Sequence, residues 1–524
     1  MPSASSHSSP VSQGSAKNSS VRSSRSFGRD ALRTIEKVGN ALPDPFLLFV
    51  LLALAVIVLS TIGHSFGGSV THPGTGEEVH IRSLLSGEGI EYILTSMLEN
   101  FTGFAPLGLV LAVMLGIGLT EQVGYIHHAV QKTVRRIPYA ALPYAAVFIG
   151  VMGNLASDAA MVVIPPLIGI VFHHAGRNPI AGVAAGFAGA GIGFTANLFV
   201  AGTDALLAGI TTEAARIVLP EAHVTAIANW YFNVVCVFAL TLVGGLVTTR
   251  ITEKRLGKYE GSTKADDLEE ETRESDRALL FSTILGAAYV ALIALFVLIP
   301  NSPLRGENGA IIDSPFMSGI IPLILGFFLL LGTSYGILIG KIKNSKDLSS
   351  YMSEGISGMS GYIVLVFAIA QFIKYFEWSN IGIWLAVNGS EFLKEIGFTG
   401  VFLIVGYIVF TALLNFIIPS GSAKWALEAP VFVPLFLQLG YHPGFIQAAY
   451  RIGDSSANMV TPVSPYLPIV LGYIRRYDKT AGVGTYISLM LPYTIAFFCT
   501  FLAVFLAFFA LEIPYGPGVS AHLQ

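Results

Sequence analysis

The chain has 524 residues, 53% of them hydrophobic and only 12% charged, with a mean hydropathy of +0.67. One soluble core cannot hide that much apolar surface, so the composition places the chain in a bilayer. Thirty basic residues against 33 acidic ones, with a pI near 6.4, provide no basic stripe of the kind a phosphate backbone needs, which excludes nucleic acid as a partner. Cys236 and Cys499 both lie in apolar runs, which excludes a disulfide framework and a Cys-type metal site.

Residues 1–28 contain 12 serines and no apolar run, and read as a disordered cytosolic tail. The first apolar run, 45–66, is long enough to span, so the start reads as an anchor and not as a cleaved leader. Further spanning runs lie near 103–122, 225–249, 278–300, 314–340, 359–376 and 482–511. Two other stretches, 139–209 and 400–474, are apolar but interrupted by Gly, Pro, Asn and Ser.

Lys and Arg are retained on the cytoplasmic side in short loops. The tail, the segment Lys132/Arg135/Arg136, the charged loop 250–277, Lys341/Lys343/Lys346 and Arg475/Arg476/Lys479 are therefore placed inside. The 67–100 and 301–313 loops, with one Arg each, are placed outside. These sides agree only if each interrupted stretch holds one re-entrant hairpin and one broken spanning helix. The expected fold is an all-α polytopic membrane protein with nine transmembrane helices and two re-entrant hairpins. A first repeat, 29–249, holds a hairpin near 139–174 and a broken helix near 178–209. A linking span at 278–300 leads to an inverted second repeat, 314–511, with a hairpin near 400–438 and a broken helix near 442–474, followed by a C-terminal tail, 512–524. The N-terminus is expected inside and the C-terminus outside.

At an offset of 261 residues the interrupted stretches pair Asn154 with Asn415, Asn197 with Asn458 and Thr203 with Ser464. Thr195–Asp204 then aligns with Ser456–Pro465, and the topology turns the two copies opposite ways up. Inverted repeats with broken helices are how many secondary transporters build a midplane site. Pro462, Pro465 and Pro468 are expected to break the second helix, and Gly202 the first. Asn197, Thr203 and Asp204 supply hard oxygens beside the first break, suited to Na⁺, a proton or a polar substrate and unsuited to a transition metal, and Asn197, Asp204, Asn415 and Asn458 are the Na⁺ candidates.

Gln447, Arg451, Asp454 and Asn458 share one helical face. One reading is an Arg451–Asp454 ion pair that only fixes packing; the other is a pathway, because ionisable groups inside spans are costly and Arg can grip a carboxylate in bidentate fashion. The aligned face of the first copy, Gly186, Ala190, Gly193 and Asn197, reads as close helix packing. The second hairpin tip, Pro419–Trp425, turns into a helix start where free N–H groups near Ser422 attract an anion and Trp425 offers a flat face to an aryl ring. Asp158, after the first tip, is a titrating group or a cap. His127/His128 and His173/His174 read as surface histidines. Gly189–Gly193 follows no strand, and neither a Walker motif nor a His-Glu-x-x-His motif occurs, so nucleotide-driven transport and the commonest intramembrane zinc protease are excluded.

From about residue 30 onward the chain resembles the AbgT family of p-aminobenzoyl-glutamate transporters, most specifically in Ala201–Leu207, the Pro419–Trp425 tip and Arg451-Ile452-Gly453-Asp454-Ser455. The resemblance implies a homodimer of nine-helix protomers in the inner membrane, with two hairpins each. It implies functional roles for Asp204, Asn415, Ser422, Trp425, Pro443, Arg451, Asp454 and Pro462. Substrate contacts would fall to Ser422, Trp425, Pro443, Arg451, Asp454 and Pro462, and ion coupling to Asp204, Asn197, Asn415, Asn458 and Asp454. It further implies movement of p-aminobenzoyl-glutamate, p-aminobenzoate or sulfonamides on an ion gradient, with no cofactor beyond a bound Na⁺. A channel and an intramembrane enzyme are the competing classes. The first needs a continuous polar pore, and no activated nucleophile speaks for the second.

Overall fold

The computed structural model describes residues 45–523 apart from 72–76, 136, 155–158, 260, 262–272, 301, 307–308, 310–313, 358, 417, 419, 462–463 and 465. The serine-rich tail, Asp158, Pro419, Pro462 and Pro465 lie outside the described residues.

Seven helices among these residues are long and apolar enough to cross a membrane, and they fall on the seven runs seen in the sequence. They are α1 (Pro45–Ser65), α3 (Ala105–Gln122), preceded by α2 (Gly87–Thr102), then α9 (Trp230–Val247), α10 (Arg273–Leu298), α11 (Ile320–Leu338), α13 (Ser360–Trp378) and α19 (Val483–Ala510). The first interrupted stretch forms α5 (Leu142–Gly153), α6 (Ala159–His174), α7 (Pro179–Ile192) and α8 (Gly202–Arg216). The second forms α15 (Gly400–Leu414), α16 (Gly421–Gln438), α17 (Pro443–Ala457) and α18 (Leu467–Tyr477). Two pairs of helix ends keep the offset that aligns the asparagines: α5 and α15 end at Gly153 and Leu414, and α8 and α18 at Arg216 and Tyr477.

Local chemistry sets these boundaries. Asn178 accepts from Ile180 N at 3.0 Å and Pro179 opens α7; His442 Nδ1 accepts from Gly444 N at 3.0 Å and Pro443 opens α17. Pro468 stands in the first turn of α18. It follows the expected break directly, and its missing N–H is one that a helix start leaves free anyway.

Other parts of the chain are more ordered than the sequence indicated. The 67–100 segment is not a simple loop but holds a two-stranded hairpin, Ser69–Thr71 with Glu78–His80, and α2. Amphipathic helices α4 (Tyr125–Arg135), α12 (Ser345–Ser357) and α14 (Ile381–Glu395) lie between the long ones. The C-terminal residues fold back onto the bundle: Tyr515 is buried, Phe232 N donates to Tyr515 O at 3.0 Å, and His442 N donates to Ala521 O at 3.0 Å. His128 is not a surface histidine, since it is buried with Nδ1 2.8 Å from the Tyr335 hydroxyl.

The main core joins α5–α9 to α13–α19, and the two broken helices run through its centre. The small residues do the close packing there. A Cβ on Gly186 would reach the Ile168 side chain at 3.2 Å, and one on Gly193 would reach Val151 at 2.6 Å.

Candidate functional site

The first broken helix leaves helical geometry between the 3₁₀ turn Gly193–Thr195 and Gly202, and the second between Asn458 and Leu467. The breaks meet. Thr195 Oγ1 lies 2.6 Å from Ser455 Oγ, and Met459 fills the volume that a side chain at Gly191 would need. Freed backbone groups persist at such a depth only where protein covers them, and each copy covers the other.

Arg451, 1% exposed, gathers one cluster across this junction. Its Nη2 pairs with Asp204 Oδ1 at 2.8 Å, its Nε donates to Asn229 Oδ1 at 3.0 Å and its Nη1 to Thr195 O at 3.2 Å. Asp204 sits in the first turn of α8, where Oδ2 accepts from Ala201 N at 2.8 Å and the helix dipole favours an anion. Asp204 thus has a cation beside it, supplied by the second interrupted stretch.

Asp454 has a different partner. Its Oδ1 pairs with Lys424 Nζ at 2.8 Å, and Lys424 is completely buried. The ammonium also donates to Asn415 Oδ1, while Asn415 Nδ2 donates to Gly453 O at 2.9 Å and Asp454 O at 2.5 Å. An Arg451–Asp454 pair is therefore corrected to two pairs that diverge from α17. The three-residue spacing turns Arg451 toward α8 and Asp454 toward the second hairpin.

At the start of α16 a Cβ on residue 421 would come within 2.8 Å of Asp454 Oδ2, so only glycine lets that carboxylate lie against the helix N-terminus. The anion expected from a ligand near Ser422 is in this conformation the protein's own. Ser422 is half-buried, its hydroxyl 3.3 Å from that of Ser420, which caps the helix.

Trp425 is 0% exposed and lies inside the bundle. Its indole N–H reaches Thr211 Oγ1 at 3.1 Å, and its ring packs on Tyr450 with centroids 4.4 Å apart. Tyr450 in turn donates to Gly421 O. Thr211 continues to the Gln447 amide at 2.6 Å, and Gln447 to Asn229 at 3.0 Å, so the tryptophan and the arginine belong to one hydrogen-bonded network.

The proposed oxygen set does not form one cage. Asn415 is engaged by Lys424, whose ammonium occupies the place that a Na⁺ between Asn415 and Asp454 would take, and Asp204 is engaged by Arg451. Asn197 is buried with neither amide atom hydrogen-bonded, Thr203 Oγ1 and Thr461 Oγ1 are likewise unpartnered, and Asn458 is half-buried at the end of α17. These oxygens suit a hard cation. Among the described residues no group of three or more His, Cys, Asp or Glu could hold a metal. Pro443 is buried at the opening of α17, two turns before Arg451, beside the folded-back C-terminus.

Four participants escaped the sequence reading: Asn229, Lys424, Glu428 and Tyr450. Lys424 and Glu428 had left a signal, being ionisable groups four residues apart inside an apolar hairpin, where such groups mark function by default.

Comparison with known proteins fits this architecture. The AbgT transporter family model matches residues 30–523. The p-aminobenzoyl-glutamate transport protein of Escherichia coli K12 is 41% identical over 508 residues, covering 97% of this chain and 99% of that protein. Two solved structures are similar over almost their whole length. The YdaH transporter of Alcanivorax borkumensis, described as having an unusual topology, has a TM-score of 0.86 at 40% identity, covering 91% of this chain and 100% of that one. MtrF of Neisseria gonorrhoeae, described as illuminating a class of antimetabolite efflux pumps, has a TM-score of 0.88 at 39% identity, covering 93% and 99%.

Proposed function

Because the chain belongs to the AbgT family of membrane transporters, we propose that it is an ion-coupled secondary carrier of p-aminobenzoyl-glutamate and related aromatic carboxylates. The observation that carries this reading is the pair of fully buried cation–carboxylate contacts, Arg451–Asp204 and Lys424–Asp454, at the junction of two broken helices. Buried charge of this kind is expensive to maintain and is retained where charged ligands are exchanged. A carboxylate arriving at Arg451 would replace Asp204, and an aryl ring arriving at Trp425 would replace Tyr450, so the internal partners hold the site closed until substrate takes over their contacts. The similarity to MtrF favours outward movement of sulfonamide-like antimetabolites as a second use of the same site.

The decisive experiment is reconstitution into liposomes with labelled p-aminobenzoyl-glutamate, imposing Na⁺ and pH gradients separately. Saturable, gradient-driven accumulation is expected; flux that never saturates would favour a channel, and no uptake or exchange would reject the substrate. Trp425→Phe is expected to bind more tightly than Trp425→Ala, and Arg451→Lys to stay impaired although the charge is kept, since an ammonium cannot reach Asn229, Thr195 and Asp204 together. Wild-type affinity in both Trp425→Ala and Arg451→Lys would reject this site.

We place the protein in the inner membrane as a homodimer with its N-terminus inside and its C-terminus outside. Single cysteines introduced in the 250–277 and 301–313 segments are then expected to label from opposite sides. Labelling of both from one side would break the inverted arrangement of the repeats.

A further inference from the structure

The two arms of the second hairpin are joined by a polar seam that the Arg451 cluster does not include. Tyr407 and Thr411 on α15 and Asn415 at its C-cap follow one another at four-residue intervals on one face; on α16, Lys424 and Glu428 do the same. The faces meet in rungs. Asn415 holds the Lys424 ammonium near the tip, and one turn deeper Glu428 Oε2 accepts from Tyr407 Oη at 2.8 Å and Thr411 Oγ1 at 2.7 Å.

Glu428 is 2% exposed, and its second oxygen, Oε1, is buried with no hydrogen-bond partner. Among the described residues the charged and titratable groups around it are Lys424 on its own helix, Tyr407 on α15, and Asp454 and Tyr450 on α17, while Glu391, Lys394 and Glu395 of α14, which also packs on α16, are exposed. From α8, which also packs on α16, the acids are already engaged: Asp204 by Arg451, and Glu213 by Lys374 at 3.0 Å and Arg216 at 3.3 Å.

Counting charge separates this cluster from the other one. Arg451 and Asp204 balance each other. The hairpin cluster holds two carboxylates, Asp454 and Glu428, against the single ammonium of Lys424, and Lys424 is committed to Asp454. A buried cluster with one uncompensated carboxylate is balanced by one added positive charge. The arrangement selects a proton over Na⁺: Oε2 is already filled by two O–H donors, which leaves one free oxygen on Glu428, enough to take a proton and too few ligands to strip a metal ion of water.

We propose that the second hairpin carries the coupling proton on Glu428, making this seam, and not Asp204, the place where the proton gradient enters transport. The inference rests on the carrier reading above. The step is a simple protonation: Oε1 gains a proton from one aqueous compartment when the hairpin faces it, the carboxylate becomes the neutral acid and the cluster loses its excess charge, and the proton leaves to the other compartment when the hairpin turns. Thr411 ties this change to the substrate side, because its side chain lies against Gly453, next to Asp454, on the broken helix.

Two measurements test it, one without substrate. Infrared titration of the full-length purified protein is expected to show a buried acid C=O band that comes and goes with pH in the wild type and is missing in Glu428→Gln, an isostere that can still accept from Tyr407 and Thr411. A titration of Glu428→Gln identical to wild type overturns the proposal. In proteoliposomes under a pH gradient, Glu428→Gln is expected to lose uphill accumulation down to the level of empty vesicles while still exchanging labelled for unlabelled p-aminobenzoyl-glutamate. Wild-type accumulation by Glu428→Gln, or accumulation by the wild type on a Na⁺ gradient alone, would each overturn it. If the wild type neither binds nor exchanges the substrate, the substrate reading fails, and the infrared titration still decides on Glu428.

Discussion

Lys424→Met is expected to be among the most destabilising single substitutions in the protein, at a cost of about 3–5 kcal/mol. Methionine matches the aliphatic stem but removes the ammonium, and Asp454 is then left as a buried carboxylate without its cation, lying against the start of α16. Asn415 Oδ1 also loses the donor it receives from Lys424. The penalty comes from the orphaned partner more than from the lost contact, so removing both charges is expected to recover most of it: Lys424→Met/Asp454→Asn would melt well above Lys424→Met and close to the wild type. Thermal unfolding followed by fluorescence-detected size exclusion measures this directly. Equal melting temperatures for the single and double variants would mean that Asp454 takes another partner or stays neutral. The double variant is still expected to be inactive, which separates the structural cost of the pair from its use.

How much of this was legible beforehand depends on the kind of information each feature carries. The seven long helices are set by run length against bilayer thickness, a local property, and each was found within a few residues. The offset between the interrupted stretches was legible because Asn154/Asn415 and Asn197/Asn458 keep one spacing, and the ends of α5 and α15 and of α8 and α18 follow it. Helix α2 was missed because Glu88, Glu91 and Glu99 dilute its apolar residues, so a hydropathy reading takes it for a loop. The ion pairs were misassigned for a deeper reason. Periodicity reports which residues share a face of one helix, as Arg451 and Asp454 nearly do, but not which residue of a distant helix that face meets. Asp204 and Arg451 lie in different interrupted stretches, and Lys424 and Asp454 on different helices, α16 and α17, so only packing could pair them. The residue types at the site were readable, and their partners were not.

Asp204→Asn is the substitution whose expected result depends most on this pairing. Without a cation, Asp204 would be a titrating group, and the amide would simply mimic its protonated form. Paired with Arg451, it is the internal occupant of the carboxylate site, and the amide removes a competitor. The guanidinium keeps its contacts to Asn229 and Thr195 but loses the carboxylate paired with it, so the empty variant is expected to be less stable than the wild type. Substrate should reverse this order of preference. A ligand carboxylate no longer has to displace Asp204, and each 1.4 kcal/mol of competition removed is worth about tenfold in affinity, so Asp204→Asn is expected to bind p-aminobenzoate at least about tenfold more tightly. Ligand should therefore raise the melting temperature of the variant more than that of the wild type. Transport is expected to fail in the same variant, because without Asp204 nothing exchanges with the substrate to let it leave. Isothermal titration and counterflow on one preparation measure both halves. Binding weaker than wild type would show that Asp204 holds Arg451 in place for the substrate instead of competing with it, and the carboxylate site would then have to be sought at Lys424.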